Sequence, residues 1–116
     1  MKKKIENLYN EITFELYVEG LIDKVLDFEV IIDRIETDVY GYTIIDIETR
    51  EAEKIFINEL AFYHIQDKKE CEREIIITIV HEIAHQNVSK QTMKHTKNFY
   101  KEFTKLFNHL IIKGVI

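Results

Sequence analysis

The chain has 116 residues, of which 46% are hydrophobic and 32% charged, with a net charge of −5 and one cysteine. This length and composition predict one globular domain over residues 1–116 and exclude a disordered chain. One cysteine excludes an intramolecular disulfide and a zinc ribbon. Because the sequence shows neither a signal peptide nor an apolar run long enough to span a membrane, we expect a cytoplasmic protein with no membrane partner.

The first half of the chain predicts a helix followed by three strands. Apolar residues at helical spacing predict the helix over residues 3–18. Alternating or apolar segments predict strands over residues 28–32, 38–47 and 54–58, with a turn at residues 36–38. Because the first two strands are close in sequence, we expect them to pair as a hairpin in a mainly antiparallel sheet.

The second half of the chain contains a His-Glu-x-x-His motif formed by His81, Glu82 and His85. The six residues before it are all β-branched and match a buried strand by pattern, but a strand would not place Glu82 for chemistry beside the two histidines. We therefore predict a helix, on which the histidines share one face and can bind a tetrahedral Zn²⁺. Glu82 would be the general base for a water whose pKa the metal lowers from about 15.7 to about 7.

A two-histidine site needs a third ligand from elsewhere in the chain. The metzincin motif is excluded, because Val88 and Gln91 stand where that motif has Gly and His. His95 is the favoured candidate, since the polar segment before it is long enough to turn the chain back and an amphipathic helix begins at Thr96. Glu102, one residue off the apolar stripe of that helix, is the alternative, as in thermolysin-like sites.

The motif and its downstream segment resemble the SprT-like (Spartan-type and WLM-type) minimal zincins. The similar features are the His-Glu-x-x-His motif, a polar stretch, and His95 followed four residues later by Phe99. Residues 55–60 are similar to the strand that precedes the active-site helix in that family. The resemblance extends over about residues 40–107.

This resemblance implies a fold and a ligand set. The implied fold is α+β and minimal zincin-like, with an N-terminal helix, three strands, the active-site helix and a C-terminal helix. The implied site is a catalytic zinc centre with His81, His85 and His95 as ligands and Glu82 as the catalytic residue. Residues 56–58 would be the strand that binds substrate by main-chain hydrogen bonds.

A stripe of lysines marks the last predicted helix. Residues 90–113 contain six lysines and one acid, and four of the lysines recur at steps of three and four: Lys94, Lys97, Lys101 and Lys105. This stripe predicts a face for an acidic partner or, weakly, for nucleic acid. A solvated face of an amphipathic helix is the simpler interpretation.

The sequence thus favours a zinc-dependent metalloendopeptidase that hydrolyses peptide bonds of a protein substrate. The alternative is a metal-binding interaction or regulatory module without turnover, in which a fourth protein ligand such as Glu102 or His64 closes the site. Tyr63 and His64 are also candidate hydrogen-bond donors to an oxyanion, or part of an aromatic cap. The high Lys and Ile content with no Pro or Trp fits a bacterium or phage with an AT-rich genome.

Overall fold

A computed structural model of the protein describes residues 1–32, 39–89 and 95–116. In chain order its elements are α1 (Lys2–Val18), β1 (Asp27–Ile31), β2 (Gly41–Ile45), β3 (Ala52–Asn58), a 3-10 helix (Glu59–Phe62), α2 (Lys68–Val88) and α3 (Lys97–Ile112). The predicted α+β class and order of helices and strands are confirmed. The predicted turn at residues 36–38 lies outside the described residues. None of the helices in the described part of the chain has the length and apolar character needed to cross a membrane.

The strand order of the sheet is β1-β3-β2, with β1 parallel and β2 antiparallel to β3. The expected hairpin of the first two strands is therefore wrong, and the sheet is mixed instead of mainly antiparallel. The reason is burial: Ile55 and Ile57 of β3 are 0% exposed, whereas Tyr42 and Ile44 of β2 remain 40% and 42% exposed. The strand with the most buried residues takes the centre of the sheet, where it is paired on both edges.

The central position of β3 also overturns the expected substrate strand. Residues 56–58 pair with β1 on one side, and Phe56 and Ile57 pair with β2 on the other. A strand adds to a sheet only at a free edge, so these residues cannot hold a peptide by main-chain hydrogen bonds.

The second helix, α2, packs against α1, α3, β2 and β3 and forms the centre of the fold. Its β-branched run is helical because these contacts bury it: Ile75, Ile79 and Ile83 are each 0% exposed. Burial of an Ile side chain contributes roughly 1.5–3 kcal/mol, which exceeds the helix-propensity cost of well under about 1 kcal/mol per residue. Asp67 caps the helix by accepting a hydrogen bond from the Glu70 amide at 2.9 Å.

Gly41 lets β2 lie close to α2. A Cβ at this position would be 2.9 Å from the backbone oxygen of Phe56 and 3.2 Å from the Thr78 methyl group. No larger residue fits without displacing the backbone of β3 or the side chain of α2. The close approach brings Thr43, two residues along β2, to the Glu82 side chain.

Candidate metal centre

Three histidine side chains from two parts of the chain meet beside α2. His81 and His85 lie one turn apart on α2, and His95 lies just before α3. One ring nitrogen from each lies within 4.8 Å of the other two, and the Nε2 atoms of His85 and His95 are 3.1 Å apart. Zn–N bonds of about 2.0–2.1 Å in a tetrahedral site place ligand nitrogens roughly 3.3 Å apart, so small side-chain movements fit this donor set to Zn²⁺.

The ring of Phe99 supports all three imidazoles. Its centroid lies 4.4 Å from that of His85, 4.8 Å from that of His95 and 4.9 Å from that of His81, and the side chain is 1% exposed. Phe99 is in the first turn of α3, whose N-terminus is capped by the hydroxyl of Thr96, which accepts a hydrogen bond from the Phe99 amide at 3.4 Å. The cap and the aromatic ring together fix His95 against α2.

Burial keeps the histidines of α2 in their neutral form. Removal from water lowers the pKa of His85 to about 4, with smaller contributions from His81 and His95. The pKa of His81 is also lowered, first by burial and then by His95. Because only an unprotonated ring nitrogen can donate its lone pair, both side chains are ready to bind a metal at neutral pH.

Glu82 is a buried carboxyl group beside the histidines. It is 4% exposed, and its Oε2 lies 4.0 Å from the Nε2 of His81. The Thr43 hydroxyl donates a hydrogen bond to its Oε1 at 2.9 Å. Burial raises the pKa of Glu82 to about 7, and the Thr43 hydrogen bond opposes that rise. A carboxyl group with a pKa near neutrality can both accept and return a proton at physiological pH.

Thr43→Val is expected to lower the free energy of unfolding by about 1–3 kcal/mol, because valine has a similar volume but leaves the buried Glu82 carboxyl without its donor. Chemical denaturation of the metal-free protein measures the change. Thr43→Ser retains the hydroxyl and should lose less. Equal losses in the two variants would show that the hydroxyl does not stabilise Glu82.

The alternative ligand Glu102 is held away from the three histidines. Its Oε1 accepts a hydrogen bond from the Asn87 side chain at 3.0 Å and pairs with the Lys105 ammonium at 2.9 Å. His64 lines the neighbouring cleft but is not part of the three-histidine group. Among the described residues, no fourth His, Cys, Asp or Glu joins that group.

A second group of possible ligands lies between α1 and α3. It consists of Glu15, Glu19 and His109, with the Nε2 of His109 3.1 Å from the Oε1 of Glu15. Lys113 pairs with Glu19 at 3.6 Å. The sequence alone does not indicate this group, because the contact of the two acids with α3 joins residues that are far apart in the chain. These contacts join α1 to α3.

The three-histidine group adjoins, through His81, a cleft of about 990 Å³. Its lining comes from α2, the start of β2 and the segment that follows β3, and includes His81, Glu82, Glu74, Ile77, Tyr40 and Leu60. Tyr63 and His64 also line it, so both predicted oxyanion donors are near the site, although Tyr63 is 52% exposed. The cleft is large enough for several residues of a polypeptide.

The lysine stripe is exposed on α3, as the amphipathic pattern predicts. Lys97, Lys101 and Lys105 share one face of the helix, and Lys105 is neutralised by Glu102. Lys94 lies outside the described residues. A partner for this face stays a prediction.

Comparison of the chain with protein-family models, with curated proteins and with solved structures finds no match. Any function assigned to the chain therefore rests on the geometry and chemistry of the site itself.

Proposed function

We propose that the protein is a zinc-dependent metalloendopeptidase of the SprT-like zincin type. His81, His85 and His95 would hold the metal, and Glu82 would be the general base. The observation that carries this proposal is the convergence of three imidazoles beside the buried carboxyl group of Glu82, which lines an open cleft. When bound, Zn²⁺ supplies Lewis acidity, polarising a peptide carbonyl and lowering the pKa of a water ligand.

Glu82 moves the proton in this mechanism. Thr43 holds Oε1 by a hydrogen bond, and Oε2 lies 4.0 Å from the Nε2 of His81, on the side of the proposed ligands. This oxygen takes a proton from the attacking water and later returns it to the leaving amine. Because Thr43 holds Oε1 and the side chain is buried, little reorganisation accompanies the transfer.

The strand β2 is the candidate for substrate binding in place of β3. It pairs with β3 on one side, and no described strand pairs with its other side. Tyr40 and Gly41, at its start, line the cleft together with His81. An extended polypeptide added along this edge would pass beside the metal centre and be held by main-chain hydrogen bonds, whatever its sequence.

The regulatory module without turnover is the weaker alternative. It needs a protein side chain as fourth ligand, because structural zinc sites are closed. Glu102 is paired with Asn87 and Lys105, and no other described candidate joins the three histidines. The donor set therefore favours a catalytic site over a structural one.

Removal and return of the metal test the proposal. Treatment of the purified protein with a zinc chelator is expected to abolish cleavage of an unfolded protein substrate, and one equivalent of Zn²⁺ should restore it. Mg²⁺ should not, because it prefers oxygen ligands to imidazoles. Cleavage that is insensitive to the chelator, or no cleavage by the zinc-loaded protein, would contradict the proposal.

A further inference from the structure

One face of α2 forms the floor of the cleft. Glu74, Thr78 and His81 lie at steps of four and three along the helix, so their side chains share this face. Glu74 and His81 are seven positions apart on the helix, a distance of roughly 10 Å. The apolar part of the cleft lining, here called the apolar wall, includes Ile77, Leu60, Ala61 and Val39.

The carboxylates that line the cleft have no basic side chain other than histidine beside them in the described lining. Its acidic lining residues are Glu74 and Glu82, and no Lys or Arg lines it in the described part of the chain. Glu74 is half-buried, and the ion pairs among the described residues involve other carboxylates. Glu72, by contrast, lies on the same helix and pairs with Lys4 at 3.1 Å. The carboxylate of Glu74 is therefore available to a ligand.

We propose that the cleft binds a polypeptide with a Lys or Arg residue next to the scissile bond. The apolar stem of that side chain would lie along Ile77, and its charged end would reach Glu74. The inference rests on the proposed function, because it takes the bound molecule to be the substrate of the metal centre. It assigns to Glu74 a role in specificity that is separate from catalysis.

Other side chains fit the cleft less well. A purely apolar side chain would cover the wall but remove water from Glu74 without providing a partner. An acidic side chain that reached the end of the cleft would be repelled by Glu74. A basic side chain is the one class that satisfies both the apolar wall and the carboxylate at its end.

The test measures binding separately from turnover. Fluorescein-labelled octapeptides, identical except for one central residue that is Lys, norleucine or Glu, are titrated with zinc-loaded Glu82→Gln and followed by fluorescence anisotropy. Norleucine matches the apolar stem of Lys without its charge. The Lys peptide is expected to bind roughly fivefold more tightly than the norleucine peptide, the range of a partly exposed ion pair, and the Glu peptide most weakly.

Variants of Glu74 in the same background identify its role. Glu74→Gln should remove the preference for Lys over norleucine, and Glu74→Lys should reverse the order so that the Glu peptide binds best. Glu72→Gln is the matched control, and its preference should be unchanged.

Different results would overturn the proposed function and the proposed preference for a basic residue. Equal affinities for the Lys and norleucine peptides, or a preference that survives Glu74→Gln, would overturn the inference even if the wild-type protein cleaves peptides. Failure of zinc-loaded wild-type protein to cleave any peptide would overturn the proposed function, while the binding preference remains measurable.

Discussion

Glu82→Gln is expected to keep one Zn²⁺ per chain and to lose peptide hydrolysis by about 10²–10⁴-fold, the usual contribution of a general base. The amide has nearly the same shape, and its oxygen can still accept the hydrogen bond that Thr43 donates to Oε1 at 2.9 Å. It cannot accept a proton from water. The fold and the three histidines should therefore be unchanged while turnover is lost.

The measurement for Glu82→Gln combines elemental analysis for zinc with the rate of cleavage of an unfolded substrate. Glu72→Gln is the control, since it removes a carboxylate from the same helix at a half-exposed ion pair with Lys4. Hydrolysis by Glu82→Gln within about tenfold of the wild-type rate would rule out a general-base role.

His95→Ala is expected to weaken zinc binding by more than about 100-fold, because it leaves two of the three imidazoles that the site supplies. Competition with a chromophoric chelator measures the Kd. The Nε2 of His95 lies 3.1 Å from that of His85, whereas the carboxylate of Glu102 is paired with Asn87 and Lys105. If His95 is the third ligand, His95→Ala weakens zinc binding. If Glu102 is the third ligand, His95→Ala leaves the zinc affinity unchanged.

Glu102→Gln is the control for His95→Ala. It retains an oxygen that can accept the hydrogen bond from Asn87, and it should bind zinc with wild-type affinity. His64→Ala should do the same, since His64 lies outside the three-histidine group. Loss of zinc in Glu102→Gln with retention in His95→Ala would show that the site uses the other third ligand.

The helices of this fold could be predicted from local pattern, but the order of the strands could not. Apolar residues at helical spacing over residues 3–18 predict α1, which spans Lys2–Val18. The amphipathic pattern that begins at Thr96 predicts α3, which begins at Lys97. Strand pairing depends on which strand is most buried, and proximity in sequence favoured a hairpin that does not form. The parallel pairing of β1 with β3 joins residues that are 27 positions apart, such as Asp27 and Lys54.

The residues of the candidate site also differ in whether the sequence alone could predict them. His81, Glu82 and His85 follow from a helical repeat over five residues, so the sequence alone places them. The contact between Thr43 and Glu82 spans 39 residues and depends on the close approach of β2 to α2 at Gly41, which no local signal indicates. Glu102 looked like a ligand because of its position near the apolar stripe, but its partners on α2 and α3 lie outside that pattern.

In the proposed metal centre, the three histidines bind one Zn²⁺. Anomalous diffraction at the zinc absorption edge, from crystals of the zinc-loaded protein, tests this binding most directly. The predicted result is one strong peak enclosed by the imidazoles of His81, His85 and His95. A map without density there, or with its only peak between Glu15, Glu19 and His109, would contradict the assignment of the metal centre.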